Sequence, residues 1–197
     1  MEDQTSKENE SSTRPYRELI GALMYLAITT RPDIAYITSY LAQFNHCFTQ
    51  EQWGAAKRIL RYLQGTSNFG LHFRKMNKRM TGYSDADWGK CTIDRRSYTG
   101  YSFILTGAAV SWKAQKQRTV ALSSTEAEYM ALAETAKEAA YLQTLLREFG
   151  DSGFSEITVF CDNRGAQILT ENPAFYVRTK HIDIRHHYVR QAVKTAY

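Results

Sequence analysis

The stretch GYSDADWGK, Gly82 to Lys90, decides how the second half of the chain is read. It alternates as a β-strand does, with successive side chains on opposite faces, so Tyr83, Asp85 and Asp87 are expected to share one face. Two like charges side by side on a strand repel each other and resist burial. Around this stretch, MTGYSDADW predicts a strand and the polar KCTIDRRS a turn. YTGYSFILTG and AAVSWKAQ, rich in aromatic and β-branched residues and broken by Gly107, predict two more strands. Short connections make the three an antiparallel meander. SSTEAEYMALAETAKEAAYLQTLLREFG then predicts a helix of about seven turns, ITVFCDN a buried strand, Arg164 to Thr170 a short helix, and HIDIRHHYVRQAV a last one. The order β-β-β-α-β-α predicts an α/β fold, a mixed sheet with helices on its faces.

Upstream, the pattern is helical. YRELIGALMYLA has apolar residues at helical spacing from Tyr16, TRPDIAYITSYLAQF places Pro32 in a first turn, and EQWGAAKRILRYLQG ends at Gly65, a natural C-cap. The third helix carries Lys57, Arg58 and Arg61 around Trp53, Ile59, Leu60 and Tyr62. NFGLHFRK is expected to form a short strand, and KMNKRM a charged connector. The opening MEDQTSKENESST is polar and acidic, which predicts a disordered tail and is the opposite of a signal or transit peptide. The expected organisation is a tail over 1–13, a basic helical unit over 14–79 and an α/β domain over 80–197.

The 197 residues are 43% hydrophobic and 23% charged, enough for one good core and a small second unit. Net charge is +5, which permits a polyanionic partner without demanding one. From Arg14 to Arg79 ten Lys and Arg face three Asp and Glu, whereas from Met80 onward the balance is fourteen to thirteen. The basic excess thus belongs to the helical half and the carboxylates of interest to the other. Three separated cysteines, Cys47, Cys91 and Cys161, form no CxxC pair, which argues against a zinc site or a disulfide framework. A reducing compartment, cytoplasmic or nuclear and not secretory, is the expectation. No apolar run approaches the roughly 18–20 residues of a membrane span, so no membrane partner is expected.

Three carboxylates stand out, each with an innocent alternative. Glu126 lies three residues after Ser123 in the capping-box pattern, and also near a stripe of Tyr129, Ala133, Ala136 and Ala140 that would face the sheet. Asp162 either caps the helix that follows it or is delivered by its strand to the crevice where open sheets bind ligands. Asp85 is either an exposed strand acid or the third member. Two charges about 4 Å apart repel by roughly 4 kcal/mol at an effective dielectric of 20, and a divalent cation removes that cost. Hard oxygen ligands suit Mg²⁺ or Mn²⁺ better than zinc.

The motifs GYSDADW, SSTEAEYMAL, VFCDN and RTKHIDIRHHYVR, in this order, resemble the C-terminal ribonuclease H domain of copia-type retrotransposon Pol polyproteins. YRELIGALMYLAITTRPDIAY and AAKRILRYLQGT resemble the helical end of the reverse transcriptase that precedes it. The resemblance spans Tyr16 to Val189. It implies the ribonuclease H-like fold, with a five-stranded mixed sheet, and cleavage of the RNA strand of an RNA–DNA hybrid with two Mg²⁺ ions. By motif, Asp85 would bridge the metals, Glu126 would hold one of them near the RNA 2′-hydroxyl, and Asp162 would complete the set. The remainder of a Pol polyprotein is the implied partner. A fourth acidic ligand, in an A-D-x-x-T-K segment, and the fifth strand are not found before Tyr197, so the domain is expected to be C-terminally truncated. A truncated remnant that binds nucleic acid without turnover is therefore the alternative. No Y-x-D-D motif is present, so polymerase activity is not expected.

Lys113, Lys116 and Arg118, flanking Trp112, form a basic patch that could contact phosphates of the hybrid, as could Lys57, Arg58 and Arg61. Asp87 is expected to be an exposed or supporting acid, and Asp183 a helix cap. His181, His186 and His187 are expected on a basic helix surface, not as metal ligands. A third possibility is a protein-interaction module built on the helical unit.

Overall fold

The computed structural model describes residues 14–76, 79–150 and 156–171. The acidic opening segment and the HIDIRHHYVRQAV stretch, with Asp183 and the three histidines, lie outside the described residues.

In the first unit, helix α1 (Tyr16–Thr29) buries Tyr16, Ile20, Leu23 and Ala27 at four-three-four spacing. A 3₁₀ turn (Pro32–Ile34) leads into α2 (Ala35–Ala42). Pro32 fits there because the first turn leaves its N–H positions unpaired in any case. Helix α3 (Gln50–Gly65) starts on a capping box between Thr49 and Gln52 and contributes Ala56 and Ile59 to the same core. The Tyr16 hydroxyl donates to Leu41 O at 2.9 Å, and its ring stacks on Phe48. Arg31, 8% exposed, ties the α1–α2 turn to the end of α3. Its guanidinium donates to both Asp33 oxygens, to Thr66 O at 3.2 Å and to Thr66 Oγ1 at 2.7 Å, while Tyr62 donates to Asp33 Oδ2 at 2.7 Å.

The second unit holds β1 (Thr81–Ala86), β2 (Tyr98–Leu105), β3 (Ala108–Lys116), α4 (Ser124–Glu148), β4 (Thr158–Cys161) and α5 (Arg164–Glu171). The sheet runs β3-β2-β1-β4, antiparallel except for β4, which pairs in parallel with β1 and sets Ser84 beside Cys161. The fold is thus mixed α/β with a helical unit before it, as the order of patterns predicts. Two compact units divide between Leu71 and His72. Arg74 N–H donates to Thr106 O in the β2–β3 turn at 2.8 Å, and no strand forms over 69–76. Where a strand was expected, that segment makes one backbone hydrogen bond to the hairpin and lies against Gly107 of its turn through Met76.

Alternation along β1 sends Gly82, Ser84 and Ala86 to the buried face and Tyr83 and Asp85 to the exposed one. Gly82 is required by close approach: a Cβ there would meet the buried Phe103 ring at 2.7 Å. Helix α4 covers the buried face. The Thr135 hydroxyl, fully buried, lies 2.9 Å from Ser84 Oγ, and Met80, Phe103 and Leu142 form the core beyond it. This fixes which turn of α4 lies over which end of β1, and so where the first turns of the helix meet the strand ends. Among the described residues no helix is long and apolar enough to cross a membrane.

Candidate metal centre

The C-terminal ends of β1 and β4 lie side by side, and the second turn of α4 lies against them. Asp162 follows directly on β4 and is exposed. It does not cap α5. Asn163 does, its Oδ1 accepting from Ala166 N–H at 2.9 Å, which leaves the Asp162 carboxylate without a structural duty in the helix. Asp85 stands on the exposed side of β1, one residue beyond the Ser84–Cys161 pair. Neither Asp85 nor Asp162 makes an ion pair with a described residue.

The helix supplies a different glutamate from the expected one. Glu126 is folded back on its own helix start: Ser123 Oγ accepts from Glu126 N–H at 3.1 Å, and Glu126 Oε2 accepts from Leu122 N–H at 2.7 Å. Its capping role is the one the structure displays, and it is not gathered with Asp85 and Asp162. Two residues on, Glu128 is 7% exposed and turned toward the strand ends. Ala86 N–H donates to its carboxylate, while Oε2 is buried with no hydrogen-bond partner. Burial, followed by the charges of Asp85 and Asp162, pushes the Glu128 carboxyl up to about 7. A carboxylate oxygen of Glu128, a carboxylate oxygen of Asp162 and Cys161 Sγ all lie within 4.8 Å of one another. Burial raises the Cys161 thiol as well, and the three acids add to it against an opposing backbone hydrogen bond at Asn163.

A periodic signal for Glu128 was present in the sequence. Glu128, Ala131, Thr135, Ala139 and Leu142 follow a three-to-four spacing, and four of the five are buried. Asp87 also departs from expectation. It lies past the end of β1, half-buried, and its Oδ1 accepts from Tyr98 N–H at 2.6 Å, fixing the start of β2. The face shared by Tyr83 and Asp85 therefore ends before Asp87.

The expected basic residues are distributed as follows. Lys57, Arg58 and Arg61 are exposed on α3, with Lys57 Nζ 5.9 Å from the Trp53 ring centre. Lys113, Lys116 and Arg118 line a groove of about 300 Å³ along β3 and α4, joined by Gln115 and Lys137. Lys137 did not stand out in the sequence. Three of the cations are engaged within the protein: Lys113 lies 3.7 Å and Lys137 2.8 Å from Glu134, and Lys116 2.8 Å from Asp94. Burial acts to raise Asp94, but Lys116, Cys91 and the Arg96 N–H prevail and hold it at about 2. Arg118 is exposed and makes no ion pair with a described residue.

A mixed α/β domain with a half-buried acidic pocket at adjacent strand ends is a candidate hydrolytic metal centre. Hard carboxylate donors and an unpartnered buried oxygen fit a divalent cation. No protein-family profile matches the chain. It is 43% identical over 179 residues to the retrovirus-related Pol polyprotein from transposon TNT 1-94 of Nicotiana tabacum, and 44% identical over 181 residues to that from transposon RE1 of Arabidopsis thaliana. Each match covers 91% of this chain but only 13% and 12% of the polyproteins, so the chain spans about an eighth of their length. Secreted RxLR effector protein 161 of Plasmopara viticola is 51% identical over 134 residues, 68% of this chain and 94% of that protein. Among solved structures, RNase H1 from the halophilic archaeon Halobacterium salinarum NRC-1 superposes with a TM-score of 0.41 at 16% identity, over 60% of this chain and 79% of that one. So loose a superposition carries no argument. The chain belongs to the family of copia-type retrotransposon Pol polyproteins.

Proposed function

We propose that the α/β unit is a ribonuclease H that cleaves the RNA strand of RNA–DNA hybrids, with Asp85, Glu128 and Asp162 as its carboxylates. The observation that carries this reading is the buried, unpartnered oxygen of Glu128 beside Asp162, with Asp85 on the neighbouring strand. An acid kept in such a place raises the folded state's free energy unless a cation is expected. Family membership supports the reading, because RNA–DNA hybrids are intermediates of reverse transcription. Glu128 takes the role the sequence motif gave to Glu126.

Bound there, Mg²⁺ or Mn²⁺, as a pair of ions in this reading, would stabilise charge on the attacking and leaving oxygens. The chain's own part is to hold the three carboxylates in place. Ala86 N–H orients Glu128, Asn163 takes over the capping of α5 and frees Asp162, and the β1–β4 pairing sets the two aspartates on adjacent strands. Lys113, Lys116, Lys137 and Arg118 form a cationic groove suited to a phosphate backbone, and Lys57, Arg58 and Arg61 of the helical unit offer a second set of such contacts. In this reading the helical unit derives from the end of the reverse transcriptase, and the rest of a Pol polyprotein is its partner.

The test is cleavage of a labelled hybrid with and without Mg²⁺, beside single-stranded RNA and duplex DNA. Wild type should cut only the RNA of the hybrid and only with the ion, and Asp85→Asn and Asp162→Asn should remove the activity while leaving the fold at least as stable. Retained cleavage in both variants contradicts the assignment. A second reading, a nucleic-acid-binding protein of the same ancestry without turnover, is favoured by one observation. A relative matched over 94% of its own length carries the name of a secreted effector and not of a polyprotein. It predicts salt-dependent hybrid binding and no product with either Mg²⁺ or Mn²⁺.

A further inference from the structure

One group in the acidic pocket has no use in a site meant for hard ions: the thiol of Cys161. It occupies the last position of β4, is only partly buried, and has its sulfur within 4.8 Å of carboxylate oxygens of both Glu128 and Asp162. Magnesium avoids thiolates, whereas zinc and cadmium take them in preference to oxygen. Two of the three donors sit on or directly after one strand, the third on a helix tied to the sheet, so their spacing is set by the fold. Glu128, 7% exposed, aims an oxygen with no hydrogen-bond partner into the same space.

We propose that this pocket binds a thiophilic divalent cation of the zinc and cadmium class through Cys161 Sγ and the carboxylates of Glu128 and Asp162. Tetrahedral coordination at ordinary metal–sulfur and metal–oxygen lengths sets donors about 3.5 Å apart. The observed spacing therefore closes on an ion through small side-chain movements. The thiol gives up its proton to solvent as the metal–sulfur bond forms, and a water completes the fourth position. Because Glu128 and Asp162 are shared, such an ion excludes the hard ion from the pocket, and the nuclease is inhibited by it. That consequence rests on the ribonuclease H reading, while the binding itself does not.

The experiment is a titration of the full chain with Cd²⁺ at neutral pH, following the ultraviolet thiolate-to-cadmium charge-transfer band. The exposed Cys47 is replaced by Ser beforehand, so that the buried Cys91 is the one other thiol. The expected result is a band that saturates at one ion per chain. It should be absent in both Cys161→Ser and Cys161→Ala, each checked to retain its cooperative thermal transition. In Glu128→Gln the affinity should fall by at least about tenfold. A band that persists at full amplitude without Cys161, or no band in the parent protein, overturns the proposal. Hybrid cleavage by the parent in Mg²⁺ is measured separately. Cleavage without a Cys161-dependent band removes this inference and leaves the nuclease standing, whereas a band without cleavage does the reverse.

Discussion

The two units each bury a charged side chain, and they treat it in opposite ways. In the helical unit, Arg31 at 8% exposure has its donors matched to Asp33 and Thr66, and the guanidinium holds Asp33 below the usual carboxylate range. In the α/β unit, Glu128 at 7% exposure keeps one oxygen unpaired and has Asp85 and Asp162 for neighbours, which contribute to raising it to about 7. The first arrangement is complete without anything added. The second is incomplete, and its shortfall has the sign and the donor chemistry of a cation. Comparable burial with opposite satisfaction separates a charge kept for the fold from one kept for a ligand.

The strongest way to break that contrast is to make the satisfied site unsatisfied. Arg31→Leu leaves Asp33 with Tyr62 alone and Thr66 O without its donor, and should lower unfolding free energy by about 3 kcal/mol in denaturant titrations. Little or no loss would show that the network does not hold the helical unit together. A smaller effect, of opposite sign, is expected at Glu128. Its native carboxyl lies above the ordinary glutamate value of 4.5, so the folded chain keeps the proton longer than the unfolded chain does. Stability from this group is therefore present below pH 4.5 and lost as pH rises toward about 7, beyond which it levels off. Glu128→Gln should flatten that decline and leave the metal-free protein more stable above neutrality, on the order of 1 kcal/mol. Mg²⁺ added above neutrality should raise the melting temperature of wild type and do so less in the variant. A variant less stable than wild type across this range would sink the repulsion argument. The smallest effect belongs to Glu126→Gln, which loses charge next to a helix start but keeps an acceptor for Leu122 N–H. Its cost should stay below about 1 kcal/mol, read as a shift in denaturation midpoint.

Much of this was legible in the sequence because the signals were local. Pro32 sits in a first turn as expected and the third helix ends at Gly65, although Thr66 and not Gly65 is its C-cap, and the alternation of MTGYSDADW sorted Gly82, Ser84 and Ala86 from Tyr83 and Asp85. The strand identity of TVFC placed Asp162 at a strand end beside β1. What was missed depended on competition between signals. Ser123 and Glu126 form a local capping arrangement and so occupy the acid that the motif nominated, while the buried stripe runs through Glu128. Asp87 shows the same competition, since a backbone N–H at Tyr98 claims it as β1 ends. For NFGLHFRK, apolar residues suggested a strand, but no neighbouring edge pairs with it beyond the Arg74–Thr106 bond. Lys137 carries no local sequence signal, because its groove exists only once α4 lies along β3.

Glu126 and Glu128 lie two residues apart, and one comparison separates them: Mg²⁺-dependent cleavage of an RNA–DNA hybrid by Glu126→Gln and by Glu128→Gln, measured beside wild type. Glu128→Gln should lose at least about a hundredfold in rate, and Glu126→Gln should stay within a few-fold of wild type. The reverse pattern, with activity lost at Glu126 and kept at Glu128, would show that the buried acid is not the one that serves the reaction.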